Sequence, residues 1–228
     1  MTAQDAVQYE KAASVIEHVL LSPELNEKET LAGCLKARDF ALSGVSVKPC
    51  FVRQAVSVLR NTGIMVGTVI GFPNGANTTA IKLAETKRAL TEGATGVEMV
   101  VNLGFLRSEA DDRFLEDIRC VCGLAHMNGV KITVNLEAGL LSESQIKKAS
   151  EFAVKAGADW LSTSTGFAQK NASLQDIVLI KNAVGESVNI KAMGGIHSLA
   201  EFLGVWNAGC SRIGTPFSEA ILRELNHA

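Results

Sequence analysis

Trp160-Leu161-Ser162-Thr163-Ser164-Thr165-Gly166-Phe167 is a short strand-forming run that ends in hydroxyl side chains and a glycine. It follows Ala156-Gly157-Ala158-Asp159, where a helical pattern stops. Side chains alternate across a strand, so Trp160, Ser162 and Ser164 share one side while Leu161 and Thr163 face the other. The same unit recurs along the chain. Strands are expected at Gly44–Val47, Met65–Ile70, Gly96–Asn102, Lys131–Glu137, Trp160–Ser164, Val188–Ala192 and Ser211–Gly214. The segments between them, such as Ile81–Glu92 and Asp112–His126, carry apolar residues at three- and four-residue spacing.

Alternation of strand and helix implies a parallel sheet. Counting a weaker run, Ala13–Leu20, as the first strand gives about eight β/α units, enough to close the sheet on itself. The chain is therefore expected to form one α/β domain over residues 1–228, a TIM (β/α)8 barrel. No Gly-x-Gly-x-x-Gly turn opens it, which argues against a dinucleotide-binding open sheet. Helix starts are marked by Ser142 with Gln145 and Ser198 with Glu201, both at capping-box spacing. Thr215 before Pro216 reads as an N-cap with proline at the first helical position.

Composition narrows the function classes. The 228 residues are 47% hydrophobic but only 5% aromatic, with 20 glycines, the profile of an aliphatic α/β interior with many tight turns. A net charge of −2 gives no general attraction to nucleic acid. Five cysteines are odd in number and lack zinc or redox-pair spacing, which suits a reducing, cytoplasmic setting. Met1–Lys11 carries no apolar signal region, and no run reaches the length of a membrane span. His18 and His197 have no partner at metal-ligand spacing. No metal, cofactor, membrane or nucleic-acid partner is expected.

Several motifs, in order, carry a specific likeness: Thr68-Val69-Ile70-Gly71-Phe72-Pro73, Gly93-Ala94 leading into Met99-Val100-Val101-Asn102, the Trp160–Phe167 run, Lys191-Ala192-Met193-Gly194-Gly195-Ile196, and Arg212-Ile213-Gly214-Thr215. From about Ile16 to Phe217 the chain resembles the deoxyribose-phosphate aldolases, class I enzymes that form a Schiff base with an aldehyde. In that family the sixth-strand run reads Lys-Thr-Ser-Thr-Gly and the lysine forms the imine. The matching residue here is Ser162, whose hydroxyl cannot. Other positions depart as well. Glu98 stands for the aspartate of the proton relay, Glu17 for the first-strand aspartate, Ser46 for a cysteine and Lys48 for an asparagine. Thr133, His197 and Pro216 replace a lysine, an arginine and a phosphate-site serine.

The resemblance and strand parity together nominate Lys191, Glu98, Ser162 and Lys48 as catalytic candidates. Lys191 holds the position of the family's second lysine. It could be a nucleophilic amine, a fixed cation, or half of an ion pair with Glu98 or Glu137. Lys48 could project a second amine into the mouth or lie solvated at a turn. Gly166, Gly194, Gly195, Gly214 and Thr215 match the family's backbone phosphate cradle, since glycine permits close approach and helix N-termini favour anions. Pro216, with no N–H, thins that cradle. The expected function is a remodelled aldolase homologue acting on a small carbonyl compound or sugar phosphate, by lyase or acid–base chemistry centred on Lys191 and Glu98. The alternatives are an inactive sugar-phosphate-binding homologue, or an isomerase, cyclase or dehydratase on the same barrel. A homodimer is expected by analogy.

Overall fold

The structure, a computed structural model, describes residues 3–226. Eight parallel strands, β1 (Ile16–Leu20), β2 (Gly44–Val47), β3 (Met65–Ile70), β4 (Gly96–Val100), β5 (Lys131–Asn135), β6 (Trp160–Ser162), β7 (Asn189–Met193) and β8 (Arg212–Thr215), close in sequence order into a barrel. The closure is made by pairing of β1 with both β2 and β8. Helices α1 (Ala3–Ala13), α2 (Glu27–Asp39), α3 (Val52–Val58), α4 (Thr79–Thr91), α5 (Leu103–Arg107), α6 (Asp111–Met127), α7 (Glu143–Ala156), α8 (Leu174–Val184), α9 (Leu199–Asn207) and α10 (Ser218–Leu225) surround it. The expected TIM barrel is the observed fold. Helices cover the outer faces of the strands, which is why strands such as β2 and β4 are buried at every residue.

Local signals explain most boundaries. The capping boxes at Ser142/Gln145 and Ser198/Glu201 are both formed, and two more start α2 (Asn26/Glu29) and α8 (Ser173/Asp176). Three expectations are corrected. Ala13 ends α1, so the first strand starts only at Ile16. The fourth strand stops at Val100, because Asn102 turns to accept a hydrogen bond from Phe105 N–H and caps α5. Thr215-Pro216 does not open the last helix, which begins at Ser218. The Thr215 hydroxyl is committed elsewhere, donating to the Ile196 carbonyl at 2.6 Å and accepting from Phe217 N–H at 3.0 Å.

Between barrel and helices lies an ion pair that sequence periodicity did not reveal. Lys82 of α4 is fully buried, with Nζ 2.6 Å from Asp117 Oδ2 of α6 and 2.9 Å from the Val100 carbonyl oxygen. Asp117 Oδ1 accepts from the Thr79 hydroxyl at 2.7 Å. Burial lowers the Lys82 pKa more than Asp117 restores it. Removing the cation alone leaves an uncompensated buried carboxylate. Lys82→Met is therefore expected to lose about 3 kcal/mol of stability in urea unfolding. Lys82→Met with Asp117→Leu should recover most of that loss. A single-variant loss below about 1 kcal/mol, the size of an exposed pair, would show that the pair is not the α4–α6 fastening.

Candidate active site

The strand C-termini frame the mouth, the end at which sites of this fold lie. A cavity of about 660 Å³ opens there between the loops after β1, β6, β7 and β8 and the face of α2. Its walls include Leu21, Lys36, Gly166, Phe167, Gly194 and His197. Below it Leu21, Val69 and Met193 form a small apolar cluster against which Val19 and Phe72 pack. Val19, Leu21, Val69 and Met193 point inward by strand alternation, so they make an aliphatic layer across the barrel.

Lys191 lies beneath that layer and is 1% exposed. Its Nζ sits 2.6 Å from Glu17 Oε1 and 2.7 Å from Glu98 Oε2. The other Glu98 oxygen accepts from Asn135 Nδ2 at 2.8 Å, and the same amide donates to Ser162 Oγ at 3.2 Å. Arg212, stacked on the Trp160 ring, reaches to 3.9 Å from Glu17 Oε2. Strand register produces this grouping, since Ser162 pairs with Lys191 on one side and Asn135 on the other. Gly214 makes room for it, because a Cβ there would stand 3.1 Å from Lys191 Cε. The cluster borders a second cavity of about 90 Å³ near the strand starts, away from the mouth.

Electrostatics fix the charge states. Burial alone would drive Lys191 toward a neutral amine, but the charges of Glu17 and Glu98 outweigh it and hold the pKa above the usual lysine value. Burial is the largest influence on Glu98 and would raise it, but the Lys191 charge together with hydrogen bonds from Lys191, Asn135 and Ser162 outweighs it, holding the carboxyl below the usual range. Lys191 and Glu98 are thus brought together, with Glu17 as the second carboxylate. Glu137 is not one of its ion-pair partners.

The remaining sequence candidates occupy other places. Lys48 Nζ donates to the carbonyl oxygens of Ser22, Pro23 and Leu25 at 3.1, 3.1 and 2.6 Å, fastening the loop between β1 and α2. All three ammonium protons are then used. Ser162 is fully buried. Gly166, Gly194 and Gly195 line the mouth with positive φ of 82°, 88° and 75°. The loops after β6 and β7 meet there backbone to backbone. A Cβ on Gly194 would lie 3.1 Å from Gly166 Cα and 2.5 Å from Asn171 Oδ1. His18 donates or accepts at Ser218 Oγ, 2.8 Å away, and burial and the Lys36 charge push its pKa down to about 4. Among the described residues no three His, Cys, Asp or Glu side chains group to hold a metal ion, and no helix is long and apolar enough to cross a membrane.

The decisive comparison is with sequence families. Residues 23–210 match the DeoC/LacD family aldolases. The chain belongs to that family. It is 40% identical over 213 residues to a deoxyribose-phosphate aldolase of Staphylococcus haemolyticus, covering 93% of this chain and 96% of the relative. It is 39% identical over 207 residues to the Lactiplantibacillus plantarum protein of the same name, covering 91% and 96%. Among solved structures, the aldolase QR15 superposes with a TM-score of 0.89 at 34% identity, covering 93% of this chain and 95% of that one. The tetrameric deoxyribose phosphate aldolase from Aeropyrum pernix gives 0.88 at 27%, covering 98% of each chain. In this aldolase-family barrel the mouth cavity and the Lys191 cluster are separate spaces, divided by the aliphatic layer.

Glu137 is the mouth residue that sequence reasoning undervalued. It follows β5 in the left-handed region, φ 50° and ψ 50°, which is rare for a non-glycine residue. That turn is not legible locally, because nothing in Asn135-Leu136-Glu137 marks a left-handed residue. Its N–H is held by Asn135 Oδ1 at 3.0 Å. Asn135 thereby links Glu137 to the Glu98 and Ser162 side chains.

Proposed function

We propose that this aldolase-family protein binds a small phosphorylated carbonyl compound at the mouth and acts on it by acid–base chemistry without an imine. One observation carries the reading: the Lys191 ammonium is clamped between Glu17 and Glu98 beneath an aliphatic layer. Imine formation needs a neutral amine whose lone pair meets the carbonyl carbon. Deprotonating Lys191 would strand two buried carboxylates, Lys48 is tied to three carbonyls, and Ser162 has no amine. In this reading Lys191 and Glu98 are the charge-balanced unit that the family's amine centre has become. The cradle of Gly166, Gly194 and Gly195, with Lys36 and His197 on the same cavity, supports an anionic ligand. A homo-oligomer is part of the proposal, the Aeropyrum pernix relative being tetrameric. The aliphatic layer favours a second reading, capture of the ligand without turnover.

The test is titration calorimetry with 2-deoxyribose 5-phosphate and glyceraldehyde 3-phosphate, followed by borohydride treatment and peptide mass mapping. Binding is expected, with only trace release of glyceraldehyde 3-phosphate and no trapped adduct. A reduced adduct on Lys191 or Lys48, or robust cleavage, would overturn the imine-free reading. Binding with no conversion of any carbonyl probe would select the capture reading.

A further inference from the structure

We infer that Glu137 is the proton-transfer group of the mouth, placed to take a proton from the carbon next to a bound carbonyl. The inference rests on the phosphorylated-carbonyl reading above and adds a residue that this reading does not use.

The mouth has two compartments. Besides the cavity over the glycine cradle there is one of about 440 Å³ bordered by Asn74, Val100, Leu103, Glu137, Leu140 and Gln169. Thr165 and Phe167 wall both. The Phe167 ring meets Phe72 edge-on at 5.2 Å and stands as the partition between them. A ligand whose anionic end lies on Gly166 and Gly194 therefore borders Thr165, whose hydroxyl and N–H hold the Glu137 carboxyl projecting from the loop after β5.

That carboxyl is held but not saturated. Glu137 Oε2 accepts from the Thr165 hydroxyl at 2.6 Å and from Thr165 N–H at 3.2 Å, while Oε1 has a single longer contact to the same N–H at 3.3 Å. A carboxylate offers about four acceptor positions, so Oε1 keeps a lone pair free. Among the described residues no cation pairs with it, in contrast to Glu17 and Glu98. Burial raises its pKa above the usual carboxylate value, against the opposing hydrogen bonds led by Thr165. The left-handed backbone at a buried glutamate is what aims the side chain at the Thr165 loop. Strained residues of this kind concentrate where function holds them.

The step balances without a co-reactant. The C–H bond α to the carbonyl breaks, its proton bonds to Glu137 Oε1, and the electron pair becomes the C=C bond of an enolate as the carbonyl π pair moves to oxygen. Asn74 and Gln169, on the same cavity, offer amide N–H groups to that oxygen. Return of a proton from the carboxylic acid to carbon regenerates both partners.

Dihydroxyacetone phosphate in deuterated water tests this, with exchange of its α-hydrogens followed by proton NMR and binding measured separately by calorimetry. Exchange is expected to exceed the protein-free control and to rise with pH through a midpoint above the ordinary carboxylate range. Glu137→Gln keeps an oxygen for Thr165, so affinity and unfolding midpoint should hold while exchange falls at least ~100-fold. Glu137→Asp should retain part of it. A purely structural clamp on Thr165 would leave exchange untouched by Glu137→Gln. Undiminished exchange in that variant, or binding by the natural chain with no exchange, would overturn the inference alone. Failure of the probe to bind would overturn the anion-cradle reading together with it.

Discussion

Lys191→Met should lower the stability of the folded chain by about 5 kcal/mol at pH 7, the upper end of what breaking a buried ion pair costs, because two carboxylates lose one cation. Glu17 and Glu98 stand 2.6 and 2.7 Å from its Nζ, and all three side chains are at most 5% exposed. The pH dependence gives the sharper signature. In the natural chain the Glu98 pKa is depressed on folding, so its contribution is present above the unfolded value and is lost as pH falls through the folded one. Lys191 is raised, so its contribution is complete below the ordinary lysine value and is lost only as pH climbs through the folded one. Between these limits the cluster is intact. Without Lys191, Glu98 retains burial but loses its main opposing charge, so folding should favour the protonated acid and the variant should gain stability from pH 7 to pH 5. The natural chain should not. Urea unfolding at both pH values checks the inversion, and Glu98→Gln added to Lys191→Met should recover part of the loss. A loss under about 1 kcal/mol, or no inversion, would mean that Lys191 is not the counter-ion of this cluster.

Ser162→Lys should create what the natural chain is proposed to lack, a borohydride-trappable amine at the sixth strand. The new side chain would lie beside Lys191 on the adjacent strand, since these two residues are register partners. Like-charge repulsion and burial would both lower its pKa and leave part of it as free amine near neutrality. The new side chain cannot extend straight to solvent, because Ser162 is fully buried and Leu21, Val69 and Met193 close the way. The variant must therefore displace part of that layer, at roughly 1–3 kcal/mol. Cleavage of 2-deoxyribose 5-phosphate should appear but stay poor, since an error of ~1 Å in placing the reacting groups can cost about 100-fold. Mass mapping should find the reduced adduct on residue 162. If the variant is folded by circular dichroism yet traps no adduct with acetaldehyde or 2-deoxyribose 5-phosphate, Ser162 does not occupy the imine position and the proposed departure from the family fails with it.

The sequence by itself determined the architecture. Alternation of strand and helix, capping residues at Ser142 and Ser198, and ordered motifs around Gly166, Lys191 and Gly194 are local or near-local properties, and a closed parallel barrel is the arrangement that satisfies them. Parity and the family resemblance together also placed Ser162, Glu98 and Lys191 on the inner face, because the two-residue period of a strand depends on nothing remote. Only the tertiary structure decided what those residues do to one another. Glu17 and Lys191 are 174 positions apart, and their contact follows from the closure of β8 onto β1. The aliphatic layer between mouth and ammonium joins residues from three regions of the chain, each unremarkable in its own segment. Lys48 looked like a free amine until the loop between β1 and α2 wrapped it in carbonyls. Glu137 took a left-handed turn that no neighbouring residue announces. Secondary structure is written in short-range periodicity, whereas charge state and access depend on which distant groups barrel closure brings within about 3 Å, the range at which a hydrogen bond or ion pair forms.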